Sequence, residues 1–432
     1  MNLLTRSALV LGCVAVSAHA GEAPGRITFT KNVLPILQQE CQTCHRPSGL
    51  NLSGMVAPMS LMTYEEVRPW AKAVAKVVEA KTMPPWHASA ATHGIFRNER
   101  TLSDTEIATV TQWVASGAAK GNPADAPAPI EWPNTGWNFG VPDLVLGFDE
   151  PFLVADGIED LYKDITVQLT EEQLPEDRWI SGIEFKPGSE VVHHIIGYSH
   201  APGEAIGGTG EDGSQDRGML GGNAPGADQD EWPEGYGILL KKGSRITFAM
   251  HYHKESGPGT GVLDSSEIGF QFHTKPVQHP IEISNIAYGT FEIPPNEPHW
   301  RVGASRLFEE DTILLGLLPH MHLRGSSAKY TAFYPDGKTE LLLDVPKYNF
   351  NWQTGYKYAT SKLIPAGTRI EMEFVYDNSA ASGAEFGFDS NKSIRFGGPT
   401  TDEMDLAWIT IAPAKPLDVA SAHPASRAGA GD

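Results

Sequence analysis

The chain has 432 residues, of which 41% are hydrophobic, and a formal net charge of −20 at pH 7. This length predicts two or three domains with sizeable cores, and the acidic charge argues against nucleic acid as a partner. The 44 Gly and 32 Pro favour turn-rich β structure over long helices.

Residues 1–20 are typical of a secretory signal peptide. Arg6 precedes an apolar stretch that ends in Ala18-His19-Ala20, a small-residue cleavage site. We therefore expect cleavage after Ala20 and a periplasmic or secreted protein. The stretch is too short to span a membrane, and no later run is apolar enough to do so. A lipoprotein signal at Cys13 is the alternative, but it would leave a very short apolar core.

Cys41 to His45 read CQTCH, the C-x-x-C-H attachment sequence of c-type haem. The spacing lets Cys41 and Cys44 form thioethers with the two vinyl groups, while His45 supplies one axial nitrogen. A redox-active cysteine pair and half of a zinc site are the alternatives. The first lacks a preceding strand and the second lacks another cysteine pair. The motif therefore predicts one covalently attached haem c.

Helical patterns surround this motif at residues 29–40, 63–80 and 102–117. The second opens with a Thr63-x-x-Glu66 capping box and the third with a Ser103-x-x-Glu106 box. Together they predict a small all-α cytochrome c domain over residues 21–120. A Pro/Ala-rich linker without periodicity follows over residues 121–136.

The sixth haem ligand is predicted to be Met83, in the sequence TMPPW. It follows a helical pattern, its two prolines stiffen the loop, and the loop resembles the Met-Pro loop of small cytochromes c. The rival ligands nearby are Met55, Met59, Met62 and His87.

From about residue 137 the sequence changes to short alternating runs such as RITFAMHYH (245–253) and RIEMEFVYD (369–377). Many short strands separated by Pro/Gly turns predict all-β antiparallel sandwiches. The length predicts two of them, over residues 137–288 and 289–414. The Gly- and acid-rich insertion 203–235 is either a surface loop, which we favour, or a lid. Residues 415–432 are predicted to be a disordered tail.

Histidines cluster at three places in this half of the chain. The pairs are His193 with His194, His251 with His253, and His320 with His322, each beside apolar strand residues. His320 and His322 point the same way because strand side chains alternate faces. Burying so many imidazoles is costly unless a metal or hydrogen bonds compensate. Imidazole with thioether ligands, and no further cysteine, favours copper.

The ordered strings VVHHII, MHYH, PHMHLRG and TTDEMDLAW resemble those of ascorbate-dependent type II copper monooxygenases. Peptidylglycine α-hydroxylating monooxygenase and dopamine β-monooxygenase are familiar members. The resemblance covers about residues 137–413. FNWQTGY and YDNSA also resemble a bacterial branch of the family with a cytochrome c domain fused in front.

The resemblance implies two eight-stranded, jelly-roll-like sandwiches that each hold one of two copper ions. The electron-receiving copper is bound by a His-His pair and a later His, which match His193, His194 and His251. Adjacent strand residues face opposite ways, so the pair needs a strand end or a bulge to share one ion. His253 is the alternative third ligand.

The O₂-activating copper is bound in the family by His-x-His and a Met. These match His320, His322 and Met404, with Met372 as a rival that we interpret as packing. The peptide-amidating enzymes carry an Arg two residues before the His-x-His pair and a Tyr four residues after the Met. Here these positions hold Leu318 and Trp408, which favour a less polar substrate.

The sequence therefore predicts a periplasmic copper monooxygenase that hydroxylates a C–H bond of a small organic substrate with O₂. The haem would relay electrons from an external redox protein or small reductant to the copper of His193, His194 and His251. The alternatives are a non-enzymatic electron-transfer or copper-handling protein, and a haem peroxidase. A haem closed on both sides by its ligands argues against the peroxidase.

Overall fold

A computed structural model of the protein describes residues 25–47, 57–132, 135–205, 218–224 and 229–418. The predicted signal peptide (1–20) and the rival haem ligand Met55 lie outside these residues. Parts of the predicted linker, insertion and tail do so as well, namely 133–134, 206–217, 225–228 and 419–432. In the described ranges, no helix is long and apolar enough to cross a membrane.

The α-helices are short, and most lie in the first third of the chain. They are α1 (Leu34–Glu40), α2 (Tyr64–Val67), α3 (Ala71–Glu79), α4 (Asp104–Ala115) and α5 (Ala380–Phe386). The capping boxes of Thr63 with Glu66 and of Ser103 with Glu106 both form, at the starts of α2 and α4. Pro69 then stands in a 3₁₀ turn, Arg68–Trp70, that separates α2 from α3. A small apolar core joins α1 to α4 through Leu37, Val74 and Trp113.

The strands of the larger part of the chain fall into two groups. The first comprises β1 (Leu144–Gly147), β2 (Phe152–Val154), β3 (Asp160–Gln168), β4 (Arg178–Lys186), β5 (Val192–His200), β6 (Met219–Asn223), β7 (Asp230–Glu231), β8 (Tyr236–Leu240), β9 (Arg245–His253), β10 (Val262–Asp264) and β11 (Glu267–Phe272). The second comprises β12 (His279–Pro280), β13 (Glu282–Ile286), β14 (Glu292–Ile293), β15 (Trp300–Phe308), β16 (Thr312–His320), β17 (Gly325–Phe333), β18 (Thr339–Val345), β19 (Tyr356–Ile364), β20 (Thr368–Tyr376), β21 (Ile394–Arg395) and β22 (Leu406–Pro413).

These strands form four larger sheets. Their strand orders are β1-β11-β4-β8-β12 with β7 beside β4, then β3-β9-β5-β6, then β13-β22-β16-β19, and finally β15-β20-β17-β18. Two ribbons, β10-β2 and β14-β21, complete the described strands. The pairings within the four-stranded sheets are antiparallel, and β12 runs parallel to β8.

Two large apolar cores lie between the sheets. One contains Ile183 of β4 and Phe248 of β9, and it continues into the third sheet through Leu315 and Trp408. The other lies between the third and fourth sheets. Strands β16 and β22 contribute to both cores because successive side chains point to opposite faces of a strand. The third sheet therefore packs against the first strand group on one face and against the fourth sheet on the other.

A segment between α3 and α4 pairs with β19 at the edge of the third sheet. Phe96 forms an antiparallel bridge with Tyr358 of β19, and the Arg97 amide donates to the Lys357 carbonyl at 2.8 Å. Asn98 donates its side-chain amide to the Gly355 carbonyl at 2.7 Å and accepts from the Lys357 amide at 3.0 Å. The helical part of the chain is thus tied to the β part by backbone pairing.

The predicted fold class, a small all-α cytochrome c domain followed by two all-β antiparallel sandwiches, is wrong. The chain is mostly β, with 38% strand and 14% helix, and the residues that the structure describes form no sizeable all-α domain. The second helical pattern is interrupted by Pro69, and residues 95–98 pair with β19 instead of packing on the helices. The core of the first strand group also continues into the third sheet through Leu315 and Trp408, instead of closing within its own sandwich.

Candidate metal centres

His193, His194 and His251 form one compact cluster. One ring nitrogen from each of them lies within 4.8 Å of the others. The Nδ1 atoms of His193 and His194 are 3.3 Å apart, and each of these rings lies 4.8 Å from the His251 ring between centroids. Three imidazoles converging at this distance suit a metal ion with nitrogen ligands.

A β-bulge brings the adjacent residues His193 and His194 into this cluster. Strand β5 pairs with β9 so that Val192 lies opposite Tyr252 and His194 opposite His251. His193 is the extra residue between these pairs, so it escapes the strict alternation of faces. The sequence predicted that a bulge or strand end was needed here, and the register confirms it.

His251 has one nitrogen fixed by hydrogen bonding and one left over. Its Nε2 lies 2.5 Å from Oδ1 of Asp160 on β3, and Tyr162 stacks on the ring at 4.1 Å between centroids. An ionised carboxylate only accepts, so Nε2 carries the proton and Nδ1 keeps its lone pair. That Nδ1 is buried and has no hydrogen-bond partner, and an orphaned buried acceptor facing two imidazoles fits a metal ligand.

His253 stands apart from the cluster. Its side chain is 60% exposed, and its Nδ1 lies 3.8 Å from Oδ1 of Asp160. The geometry therefore favours His251 over His253 as the third nitrogen.

His320 and His322 form a second pair at the end of β16, with ring centroids 5.2 Å apart. Nδ1 of His320 lies 2.7 Å from Oε1 of Gln353, whose Nε2 donates to the Phe350 carbonyl. Nδ1 of His322 lies 3.2 Å from the Asp402 carbonyl. Both acceptors require a proton on Nδ1, so each ring keeps its Nε2 lone pair for a metal.

Met404 lies just before β22, the neighbour of β16 in the third sheet. His320 lies opposite Leu406, and Met404 stands two residues before Leu406 and packs against the same core. This places Met404 next to the continuation of β16 that carries His322. The Tyr376 hydroxyl holds the Met404 carbonyl at 2.7 Å. The rival Met372 is 2% exposed within the other core, as the packing interpretation predicted.

Glu403 ties the loop of His322 to the loop of Met404. Its buried carboxylate accepts from the backbone amides of His322 and Arg324 at 2.8 Å and 2.6 Å. Burial raises the pKa of Glu403 to about 8, although those two hydrogen bonds act in the opposite direction.

The cluster imidazoles are neutral near neutral pH. Burial, and then repulsion from His251, lowers the pKa of His193 to about 4. Burial likewise holds the pKa values of His194 and His322 well below the usual range. It also lowers those of His251 and His320. A neutral imidazole is the form that binds metals.

The two clusters face each other across the strand groups. The pKa of His194 is lowered further by His320 and His322, and that of His322 by His251 and His193. In the same region, the Tyr162 hydroxyl of β3 donates to the Gly398 carbonyl, in the loop before Met404, at 3.1 Å. The two clusters therefore lie close to each other, on strands of the two groups.

Leu318 and Trp408 are direct cross-strand partners on β16 and β22. Leu318 stands two residues before His320 and therefore shares its face. Both residues pack against the core that spans the strand groups. The surface beside the second cluster is apolar at these two positions.

At the predicted haem site, a hydrogen bond to one ring nitrogen of His45 again leaves the other nitrogen free to bind a metal. Its Nδ1 lies 3.1 Å from the Met59 carbonyl, which leaves Nε2 as the free nitrogen. Cys41 caps α1, no disulfide joins Cys41 to Cys44, and burial raises the pKa of the Cys41 thiol to about 12. Attachment of a haem c to Cys41 and Cys44 stays a prediction.

The structure does not single out one residue as the sixth haem ligand. Met83 is half-buried and follows α3. His87 has a buried Nδ1 without a partner, so it also qualifies. Ligation by Met83 stays a prediction.

Sequence reasoning missed the residues that orient the histidines. Asp160 and Tyr162 carried no motif of their own, and Glu403 lies in TTDEMDLAW, where no role was assigned to it. Phe350 and Gln353 lie in FNWQTGY, a string that the family resemblance singled out without assigning a role to either residue. FNWQTGY was therefore the sequence signal that could have pointed to Phe350 and Gln353.

No family model and no curated protein matches this chain. Among solved structures, it is similar to a cowpea mosaic virus empty particle at 7% identity, over 65% of this chain and 91% of that one, with a TM-score of 0.31. It is also similar to the major capsid protein P2 of bacteriophage PM2 at 9% identity, over 64% and 98%, with a TM-score of 0.28. Oxalate decarboxylase from Bacillus subtilis matches at 7% identity over 68% and 87%, with a TM-score of 0.14. Likenesses this weak identify neither a family nor a function.

Proposed function

We propose that this protein is a copper-dependent monooxygenase that hydroxylates a C–H bond of a small organic substrate with O₂. In this proposal His193, His194 and His251 hold one copper ion, and His320, His322 and Met404 hold a second. The haem c on Cys41 and Cys44 relays electrons to them from an external redox protein or small reductant. The proposed location is the periplasm or the cell exterior.

One observation carries the proposal: two clusters of neutral, buried or partly buried imidazoles lie close to each other. In three of these rings the proton is fixed on the nitrogen that Asp160, Gln353 or the Asp402 carbonyl accepts from. The remaining lone pairs are left for metal ions. Burying such a set without a ligand would be costly.

The reaction puts one oxygen atom into the C–H bond and reduces the other to water. This consumes two electrons and two protons in addition to the substrate. Bound copper would supply O₂ activation and one electron per ion. The chain itself would hold the rings in the metal-binding tautomer, and Leu318 and Trp408 would offer an apolar surface to the substrate.

The test is an O₂-uptake screen of copper-loaded, reduced protein against candidate C–H substrates, followed by mass spectrometry with ¹⁸O₂. We expect one labelled oxygen atom per product and loss of the product in His320→Ala. The matched control is His299→Ala, because His299 is an exposed histidine on the same strand group. Copper binding and haem reoxidation without product from any substrate would instead support an electron-transfer or copper-handling protein.

A further inference from the structure

The ring of Phe350 lies between the two histidine clusters. It stacks on His193 at 5.5 Å between centroids, with the planes inclined by 20°. It also meets His322 at 5.9 Å in a T-shaped arrangement at 82°. His193 and His322 belong to different clusters, so one side chain contacts both.

The loop that carries Phe350 is pinned at both ends to the second cluster. Before it, the Tyr348 hydroxyl donates to the Met321 carbonyl at 2.7 Å and accepts from the Met321 amide at 3.2 Å. After it, Gln353 bonds both to His320 and to the Phe350 carbonyl. The position of the ring is therefore coupled to the His-x-His segment itself.

Folding does not account for this placement. Phe350 is half-buried and is absent from the three apolar cores of the described residues. An aromatic side chain that is fixed outside the cores and against two histidines restricts the space between them.

We propose that Phe350 is a specificity-determining residue that limits the size of molecules reaching the space between the clusters. The inference rests on the proposed function, because it assumes that metal ions occupy both clusters. Small molecules would pass the phenyl ring, whereas molecules with a bulky aromatic group would collide with it. The substrate class would accordingly be small and apolar beside Leu318 and Trp408.

The test compares two probes that bind Cu(II) through the same nitrogen donor, imidazole and 4-phenylimidazole. Their binding to the copper-loaded full-length protein is followed by the Cu(II) visible band and by electron paramagnetic resonance. In Phe350→Ala we expect the affinity for 4-phenylimidazole relative to imidazole to rise at least about tenfold, as for other groups that crowd an apolar pocket. Phe350→Leu should give an intermediate ratio and serves as the variant with less risk to folding.

Phe386→Ala is the matched control, since Phe386 is 43% exposed and lies on α5. It should leave the ratio of the two affinities unchanged. An unchanged ratio in both Phe350 variants, with O₂ uptake intact, would overturn the role of Phe350 and leave the proposed function standing. A raised ratio in a protein that oxidises no substrate would support the role of Phe350 and contradict the proposed function.

Discussion

At the scale of single residues, Asp160 decides which nitrogen of His251 can bind a metal. We expect Asp160→Asn to weaken copper binding at the first cluster about 10- to 100-fold, the usual cost of losing a partner that orients a metal ligand. The amide no longer requires a proton on Nε2, so the metal-binding tautomer loses its preference. Competitive copper titration with a chelator measures the effect.

Asp164→Asn is the control for that experiment, because Asp164 lies on the same strand, opposite Ala249. It should bind copper as the unchanged protein does. Equal affinities for both variants would mean that Asp160 serves only the fold.

The choice between His251 and His253 is also made at this scale. His251 is 1% exposed and lies in the cluster, whereas His253 points outward. Copper analysis should find about one ion in His251→Ala and about two in His253→Ala, given three-ligand sites that fail when one ligand is lost. The reverse pattern would move the third ligand to His253.

At the scale of secondary-structure elements, the proposal requires the pairing of β16 with β22 to bring the Met404 thioether to the second histidine pair. X-ray absorption of the reduced, copper-loaded protein should show a Cu–S contribution that disappears in Met404→Leu. Met372→Leu, which changes a methionine of the other core, should keep the Cu–S contribution. Loss of the contribution in the Met372 variant alone would reassign the ligand.

At the scale of the whole molecule, the buried histidines link stability to pH. In the folded protein the pKa of His193 is about 4, while the same group without burial titrates near 6.5. Between these values the unfolded state binds more protons, so stability falls as the pH falls through this window.

Protonation of these imidazoles should therefore lower the unfolding temperature of the metal-free protein near pH 5, whereas Glu403, whose pKa is raised to about 8, acts in the opposite direction. His193 alone should account for a loss on the order of 1–2 kcal/mol. Calorimetry of the metal-free protein across this range gives the slope, and His193→Gln should reduce it. The same pH dependence in His193→Gln as in the unchanged protein would contradict the burial of this imidazole.

The separate helical core makes a second prediction for the whole molecule. Replacing both Cys41 and Cys44 with Ala should abolish covalent haem yet preserve copper binding, because the helices have their own apolar core. Copper analysis and a haem stain of the denatured protein measure both outcomes. Loss of copper from the haem-free variant would show that the two parts fold as one unit.

Local rules made the predictions that succeeded. Two capping boxes started helices because a cap satisfies backbone groups within one turn. Alternation in residues 369–377 predicted the buried face of β20, and Ile370, Met372, Phe374 and Tyr376 are all buried. The bulge at His193 was expected from the family resemblance rather than from a local rule, and the register shift between Val192 and His194 forms it.

The fold class failed because it depended on contacts between distant segments. Nothing within residues 86–98 predicts that this stretch pairs with β19, more than 250 positions later in the chain. The same holds for the core that continues from Phe248 to Trp408. Apolar patterning shows which side chains are buried, but it does not specify which partner covers them.

By itself, the sequence determined which chemical groups are available: the CQTCH motif and three histidine pairs. It also predicted that His320 and His322 share one face of a strand, but β16 ends at His320 and His322 lies beyond it. Only the tertiary structure decided how these groups are used. It selected His251 through Asp160, fixed His320 through Gln353 and put Phe350 between His193 and His322. The reason is physical, since a side chain's identity and local direction are set within a few residues, whereas hydrogen-bond and ring partners are set by chain segments that meet only in the folded molecule.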